Sequence, residues 1–319
     1  MPWYTPISNE LEQVEARIRS SLNCEESLLT DICFHVIGAG GKRIRPGVAL
    51  LSFKAVGGKT SEKSINLAAS FELIHSATLI HDDINDLGEI RRGREAAYKK
   101  FGVQKALIAG DFLFVRSFRL GGTWDDRVVQ IVADAATAIA ESEILQSSHE
   151  FDPSVSQEVC EKIIRGKTAK IIEAAAMVGS HLGKGSEDQV QKLGAYGLNL
   201  GMAFQIVDDI LDIDGSEAQL GKSKGVDFID GKPTLPLMFA MRDPQLGVRL
   251  AGMFVKRKKT KRDVEEALRM VKKTEAIARS FEAAEGFKAK ALKNLNGLPD
   301  SIFKESLAQL AEMVVTRRK

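Results

Sequence analysis

Two stretches of this chain gather carboxylates at a spacing that can do chemistry. "DDIND", residues 82–86, holds Asp82, Asp83 and Asp86, and "DDILD", residues 208–212, repeats the pattern with Asp208, Asp209 and Asp212. In an α-helix, positions four apart lie about 40° apart around the axis, so Asp82 shares a face with Asp86, and Asp208 with Asp212. Like charges so placed repel, and at the C-terminal end of a helix they also oppose the macrodipole. A chain that does this twice calls for a compensating cation. Hard oxygen ligands with no thiolate among them suit Mg²⁺, which takes one or two carboxylates and completes its shell with water and substrate phosphate oxygens. Neither stretch has the Gly-containing loop and distal Glu of an EF-hand, which argues against calcium. One copy alone would more often be a solvated helix end; two copies closing two apolar-periodic helices point to phosphate held through metal.

Phosphate charge left over by the metal needs direct donors. "GGKRIRPG" offers Lys42, Arg43 and Arg45 after a glycine pair, and "RRG" offers Arg91 and Arg92 just past the first acidic stretch. Arg presents a planar fork to phosphate oxygens and Lys a compact charge. Lys167 beside Thr168, and Lys222 and Lys232 in a long Gly- and Lys-rich loop, complete the set. Taken singly, each is more often a solvated surface cation, so the joint pattern carries the weight. His75 precedes Asp82 by almost two helical turns and so lies on nearly the same face.

The elements that must position these groups are helical. From Ser64 to Asp86, apolar Leu67, Phe71, Ile74 and Ala77 keep the three- and four-residue spacing of an amphipathic helix. Before the second acidic stretch, Gly194, Gly197 and Gly201 recur at helical spacing and lead into Gln205, a smooth stripe on which a neighbouring helix could pack; a helix broken near 197 is the alternative. Gly- and Pro-rich breakers divide the chain into roughly ten helices. Two-residue alternation bounded by turns is hardly seen, so no strand is expected. The reading is all-α, a single-domain helical bundle over 1–319, with the motifs in about 38–240 and further helices in 241–319.

Composition bounds the function. With 45 Lys and Arg against 43 Asp and Glu, the net charge of +2 gives no reason to expect a nucleic acid partner. The basic run "KRKKTKR" (256–262) reads as a solvated turn. Cys24, Cys33 and Cys160 are too few and too unevenly spaced for a disulfide framework, which suits reduced thiols. No leader-like N-terminus and no bilayer-length apolar stretch is present, so a cytoplasmic location is expected.

The ordered set "GGKRIRP", "ELIHSATLIHDDIND", "RRG", "AGDFLF", "GKTA", "GMAFQIVDDILD", "LGKSKGVD" and "GKPTLP" resembles the trans-type polyprenyl diphosphate synthases. The resemblance implies an isoprenoid synthase bundle around a central apolar cavity, a homodimer, and condensation of an allylic prenyl diphosphate with isopentenyl diphosphate head to tail. It assigns Asp82, Asp83, Asp86, Asp208, Asp209 and Asp212 to two or three Mg²⁺ ions bridged by substrate diphosphate. Arg91, Lys167, Thr168, Gln205, Lys222 and Lys232 would help hold the allylic diphosphate, and Lys42, Arg45, His75 and Arg92 the isopentenyl diphosphate. A transient membrane contact would serve product release. After "RRG" the chain departs from the family: "REAAYKKFG" lacks the usual Pro-Thr pair, which leaves the path of that loop open.

Short-chain members of that family often place an aromatic residue five positions before the first Asp. Here Ala77 stands there, with Ile74 and Phe71 at successive three-residue steps of about 4.5 Å up the helix. The expected product is longer than twenty carbons, with geranylgeranyl or farnesyl diphosphate as the alternative. Two remoter readings are a class I terpene cyclase, which would not need the second-substrate cations, and a non-catalytic subunit of a synthase complex, which would usually have lost an acidic cluster.

Overall fold

The computed structural model describes residues 2–122, 124–215 and 224–316. Lys222 and residues 317–319 lie outside them. Among the described residues there are sixteen α-helices, more than the roughly ten that the breakers suggest. Short helices account for the difference. One of them, Val226–Asp230, sits inside the stretch read as a long loop, between Gly225 and Gly231, both in left-handed conformation with φ 71°.

The chain divides into two compact units. The first comprises Met1–Ile131, Ala175–Gly194 and Gly297–Gln309. Its helices include α1 (Ser8–Ser21), α2 (Ser27–Ile37), α3 (Ile44–Ala55), α4 (Glu62–Asn85), α5 (Ala97–Phe101) and α6 (Val103–Gly121). α4 starts at a capping box, where Ser61 and Ser64 satisfy each other's backbone N–H groups. It buries Leu67, Phe71, Ile74 and Ala77 as the periodicity predicts, and residues on its other faces too, because α1, α3 and α6 all pack on it.

A small hairpin corrects the expectation of no strands. Ile90–Arg91 (β1) pairs antiparallel with Arg94–Glu95 (β2), in register Ile90↔Glu95 and Arg91↔Arg94. Arg92 and Gly93 take φ 51° and 75°, the left-handed pair that a two-residue hairpin turn demands. Two residues per strand are too few to show alternation. The stretch 94–102, where the family's Pro-Thr pair is missing, follows this turn as β2 and then forms α5.

The second unit comprises Val132–Ala174, Ala195–Asn296 and Leu310–Lys319. Three elements build its polar site: α7 (Asp126–Ser148); a continuous helical run of α8 (Gln157–Ile164), a π-helical turn over Arg165–Ala169 and α9 (Lys170–Leu182); and α10 (Glu187–Asp214). α10 runs unbroken through Gly197, which removes the alternative of a broken helix. Its Ile206 and Ile210 join Phe228, Leu237 and Phe254 in a buried apolar core. No described helix is long and apolar enough to cross a membrane. None of the three cysteines forms a disulfide, and burial pushes the Cys33 and Cys160 thiols up to about 12.

Candidate active site

In the first unit the polar groups converge around the C-terminal half of α4. Asp83 is buried and its Oδ1 accepts Arg91 Nε at 2.9 Å, with Arg91 Nη2 closing a second bond to the same oxygen. Burial raises the Asp83 carboxyl above its usual range, and Arg91 opposes the rise. Burial alone would lower Arg91; the Asp83 pairing, with Asp82 and Asp86 nearby, raises it instead. Asp82 and Asp86 are half-buried at the helix end, where the Asp86 N–H donates to the Asp82 carbonyl.

The glycine pair and the hairpin meet. A Cβ on Gly41 would come within 2.9 Å of Arg92 Nη1 and 3.0 Å of Nη2, so the guanidinium lies against bare backbone there. Burial holds Arg92 below its ordinary value. The same group, with those of Arg45, Arg91 and Arg43, bears on His75, whose imidazole burial and these cations hold well below the usual histidine value. His75 is therefore neutral near pH 7. Arg45, His75, Arg91 and Arg92 thus form one positively charged neighbourhood, and Lys42 stands exposed between Gly41 and Arg43.

Arg43 is ion-paired within the protein. It stands at the N-cap of α3 in left-handed conformation, φ 48°. Its Nε and Nη2 donate to Glu15 Oε2 at 3.1 and 2.8 Å, and its Nη1 pairs with Glu72, which is buried on α4. Glu15 lies outside every motif, and Glu72 opens the stretch "ELIHSATLIHDDIND" without any spacing that marks it as a partner of Arg43, so sequence reading missed both.

In the second unit the π turn carries the donors. Its backbone sits close between two helices: a Cβ on Gly166 would lie 2.6 Å from Ser142 Cβ and 2.7 Å from the Ala138 carbonyl oxygen on α7, and one on Gly201 of α10 would lie 2.5 Å from Ala169 Cα. The glycine stripe thus serves close approach at Gly201. Thr168 Oγ1 donates to Gln205 Oε1 at 2.8 Å, and Gln205 Nε2 donates to Asp209 Oδ1 at 2.8 Å. Lys167 pairs with Glu143 of α7.

Asp209 and Asp212 are buried, and Asp208 is half-buried. Burial, then Asp227, Asp208 and Asp212, drive the Asp209 carboxyl well above the usual range, against the Gln205 bond. Asp227 was not anticipated; its N–H donates to Asp212 Oδ2 at 3.1 Å, and the Gly225 N–H donates to the Asp212 carbonyl at 2.9 Å. Lys232 Nζ lies 3.3 Å from Asp230 Oδ2. Among the described residues no three His, Cys, Asp or Glu side chains form a cluster that would hold a metal by themselves. Crowded carboxylates, with Asp83 and Asp209 held above the usual range by burial, still fit a divalent ion whose shell is finished by water and phosphate.

The sequence pattern of the Polyprenyl synthetase family matches residues 26–271. The chain belongs to that family. It is a trans-prenyl diphosphate synthase, a prenyltransferase. It is 34% identical over 310 residues to octaprenyl diphosphate synthase of Haemophilus influenzae, covering 97% of this chain and 94% of that protein. It is 32% identical to geranylgeranyl diphosphate synthase of Saccharolobus solfataricus, covering 98% and 97%. The isoprenoid synthase fold is shared with a polyprenyl synthase of Caulobacter crescentus, solved with calcium and isoprenyl diphosphate, at TM-score 0.95 and 33% identity over 99% of this chain and 97% of that one.

Proposed function

We propose that this prenyltransferase condenses an allylic prenyl diphosphate with isopentenyl diphosphate to a product longer than twenty carbons. What carries the reading is that each acidic motif stands at a helix end with its own phosphate-competent partners: Arg91 on Asp83, and Thr168 through Gln205 on Asp209. Asp82, Asp83 and Asp86, with Asp208, Asp209 and Asp212, would hold Mg²⁺ on the allylic diphosphate. Bound there, Mg²⁺ supplies Lewis-acid stabilisation of charge on the leaving group.

The chain's own residues do the rest. Lys167, Lys232 and Lys222 share the diphosphate charge that grows as the allylic C–O bond breaks, with Arg91 and Thr168 orienting the carboxylates. Lys42, Arg45 and Arg92 hold isopentenyl diphosphate, and neutral His75 donates one hydrogen bond without adding charge. The double bond of isopentenyl diphosphate then attacks the allylic carbon, and a proton leaves to the departing diphosphate. Holding both substrates in line makes the encounter nearly unimolecular, and apolar walls keep water from the cation.

Product length rests on α4. Ala77, Ile74 and Phe71 are buried at successive three-residue steps of that helix, so the first rung is open, Ile74 partly blocks the second and Phe71 forms a floor at the third. A product of about twenty-five to forty carbons follows from that helix rise, and the octaprenyl relative favours it over the geranylgeranyl one. A homodimer is favoured by Leu107, Ile108, Val115 and Phe118, which leave an apolar face of α6 exposed. Sedimentation at micromolar concentration checks it.

The deciding experiment is incubation of the purified chain with Mg²⁺, labelled isopentenyl diphosphate and allylic primers of several lengths, followed by chromatography. Asp82→Ala and Asp208→Ala should each cut turnover by about three orders of magnitude or more, and the double variant should be little worse than either, because both act on one leaving group. Near-normal turnover in either single variant rejects the assignment.

A further inference from the structure

The basic run at 256–262 is only partly a solvated turn. Lys256 pairs with Asp263 at 3.2 Å, and Thr260 forms a capping box with Asp263 at the start of the helix Lys261–Val271. The Arg257 guanidinium stacks 4.5 Å from the Phe151 ring centroid. Lys259 goes furthest inward. Its Nζ lies 4.6, 5.0 and 5.7 Å from the ring centroids of Phe151, Phe228 and Phe254, all within reach of cation–π attraction. The same Nζ donates to the Ile229 carbonyl oxygen at 3.2 Å, near the C-terminal end of the helix Val226–Asp230.

That short helix is pinned at both ends. At its start Gly225 and Asp227 donate their N–H groups to Asp212. At its end the Phe151 N–H donates to the Gly231 carbonyl at 2.8 Å, and Lys232 N–H donates to the Asp227 carbonyl at 2.8 Å. Phe151 holds φ 59°, a left-handed conformation that costs a bulky residue energy and persists only where its surroundings enforce it. Gly231 leaves the room for it: a Cβ there would lie 2.4 Å from the Phe151 ring. An aromatic box of three rings therefore closes on a lysine supplied by the same chain, and its floor is the segment that touches Asp212.

We propose that Lys259 is a positioning residue for the allylic half-site, latching the 225–232 segment so that Asp212 and Lys232 are held in place. The proposal rests on the reading that Asp212 and Lys232 serve the allylic diphosphate. It gives the basic run a role within the fold. Burial brings the Lys259 ammonium down to about 8, with Arg257 adding to the fall and Asp230 and Asp263 opposing it, so the latch loosens as pH rises past that value.

The test uses the full chain with Lys259→Met, which keeps the apolar stem, and Lys259→Arg, which keeps the cation. Lys259→Met should raise the allylic KM about fivefold to tenfold and leave the isopentenyl KM within about twofold, since the lost contacts act on one half-site. Hydrogen exchange by mass spectrometry should show faster exchange of the 225–232 peptide in that variant, and Lys259→Arg should restore both readouts. In the wild type the same peptide should exchange faster from pH 7 to 9 than the intrinsic rate predicts, and the Arg variant should not. If Lys259→Met fails to fold, Phe151→Leu should give the same split at smaller size. Unchanged exchange, equal rises in both KM values, or faster exchange with an unchanged allylic KM would each overturn the proposal. Failure of the allylic assignment itself would show elsewhere, as normal turnover of Asp208→Ala with Lys259 intact.

Discussion

Gly41 and Arg92 stand so close that no side chain fits between them: a Cβ at position 41 would lie 2.9 Å from one guanidinium nitrogen and 3.0 Å from the other. The glycine pair of "GGKR" and the turn of "RRG" are therefore one surface. Gly41→Ala must push the Arg92 fork aside, since the far end of that side chain moves more easily than backbone. The expected outcome is a rise of about tenfold in the isopentenyl KM, the worth of one misaligned charge-assisted bond, with the allylic KM unchanged. Kinetics with each substrate varied in turn checks it; a rise confined to the allylic substrate would reject the pairing.

Arg43 should behave as a structural cation although it sits between two proposed phosphate ligands. Arg43→Met leaves Glu72 buried without its ion pair, and breaking such a pair costs about 3–5 kcal/mol. Arg43→Met combined with Glu72→Gln should recover a large part of that. Urea unfolding of the two singles and the double measures the coupling. Equal losses in all three would show that the pair itself is not what matters.

His75 links stability to acid. Its folded-state value is depressed, so its contribution is present above the ordinary histidine value of about 6.5 and is lost as pH falls below it, where the unfolded chain takes up the proton first. His75→Gln should therefore lose less stability than the wild type between pH 7.5 and pH 5. Denaturant melts at the two pH values give the comparison, and an unchanged difference would count against the depressed value.

Ala77→Phe should shorten the product, and Phe71→Ala should lengthen it, both with a near-normal first condensation. Phe71 is 1% exposed, so its truncation should also cost about 3–5 kcal/mol in stability. Chromatography of the prenyl chains made with one primer decides the matter. A wild type that stops at fifteen or twenty carbons, or an Ala77→Phe variant with the wild-type distribution, sinks this account of length control.

The sequence revealed what is periodic or repeated. Leu67, Phe71, Ile74 and Ala77 mark α4 because burial on that helix recurs at helical spacing, and the doubled Asp motif marks itself. What stayed hidden depends on distance in the chain or on very short elements. Glu15 and Glu72 reach Arg43 from two other helices, and nothing local in either carboxylate's surroundings announces it. The Ile90–Glu95 hairpin has too few residues to alternate. Asp227 sits in a stretch that looks like loop because Gly225 and Gly231 bracket a helix of five residues. The basic run looks solvated because charge is visible in a sequence and three phenylalanines from elsewhere are not.

The π-helical turn at Arg165–Ala169 acts as a phase shifter. A single extra residue in a helix rotates everything after it by about 100° relative to a regular α-helix, so Gln157–Ile164 and Lys170–Leu182 cannot share one apolar stripe in step. The wider turn aims Lys167 at Glu143 and Thr168 at Gln205, on two different neighbouring helices. Deleting one residue there would bring the two segments back into register and swing both side chains off their partners at once. The helix would be smoother and the enzyme poorer, which makes this irregular turn a place where the chain trades regular hydrogen bonding for direction.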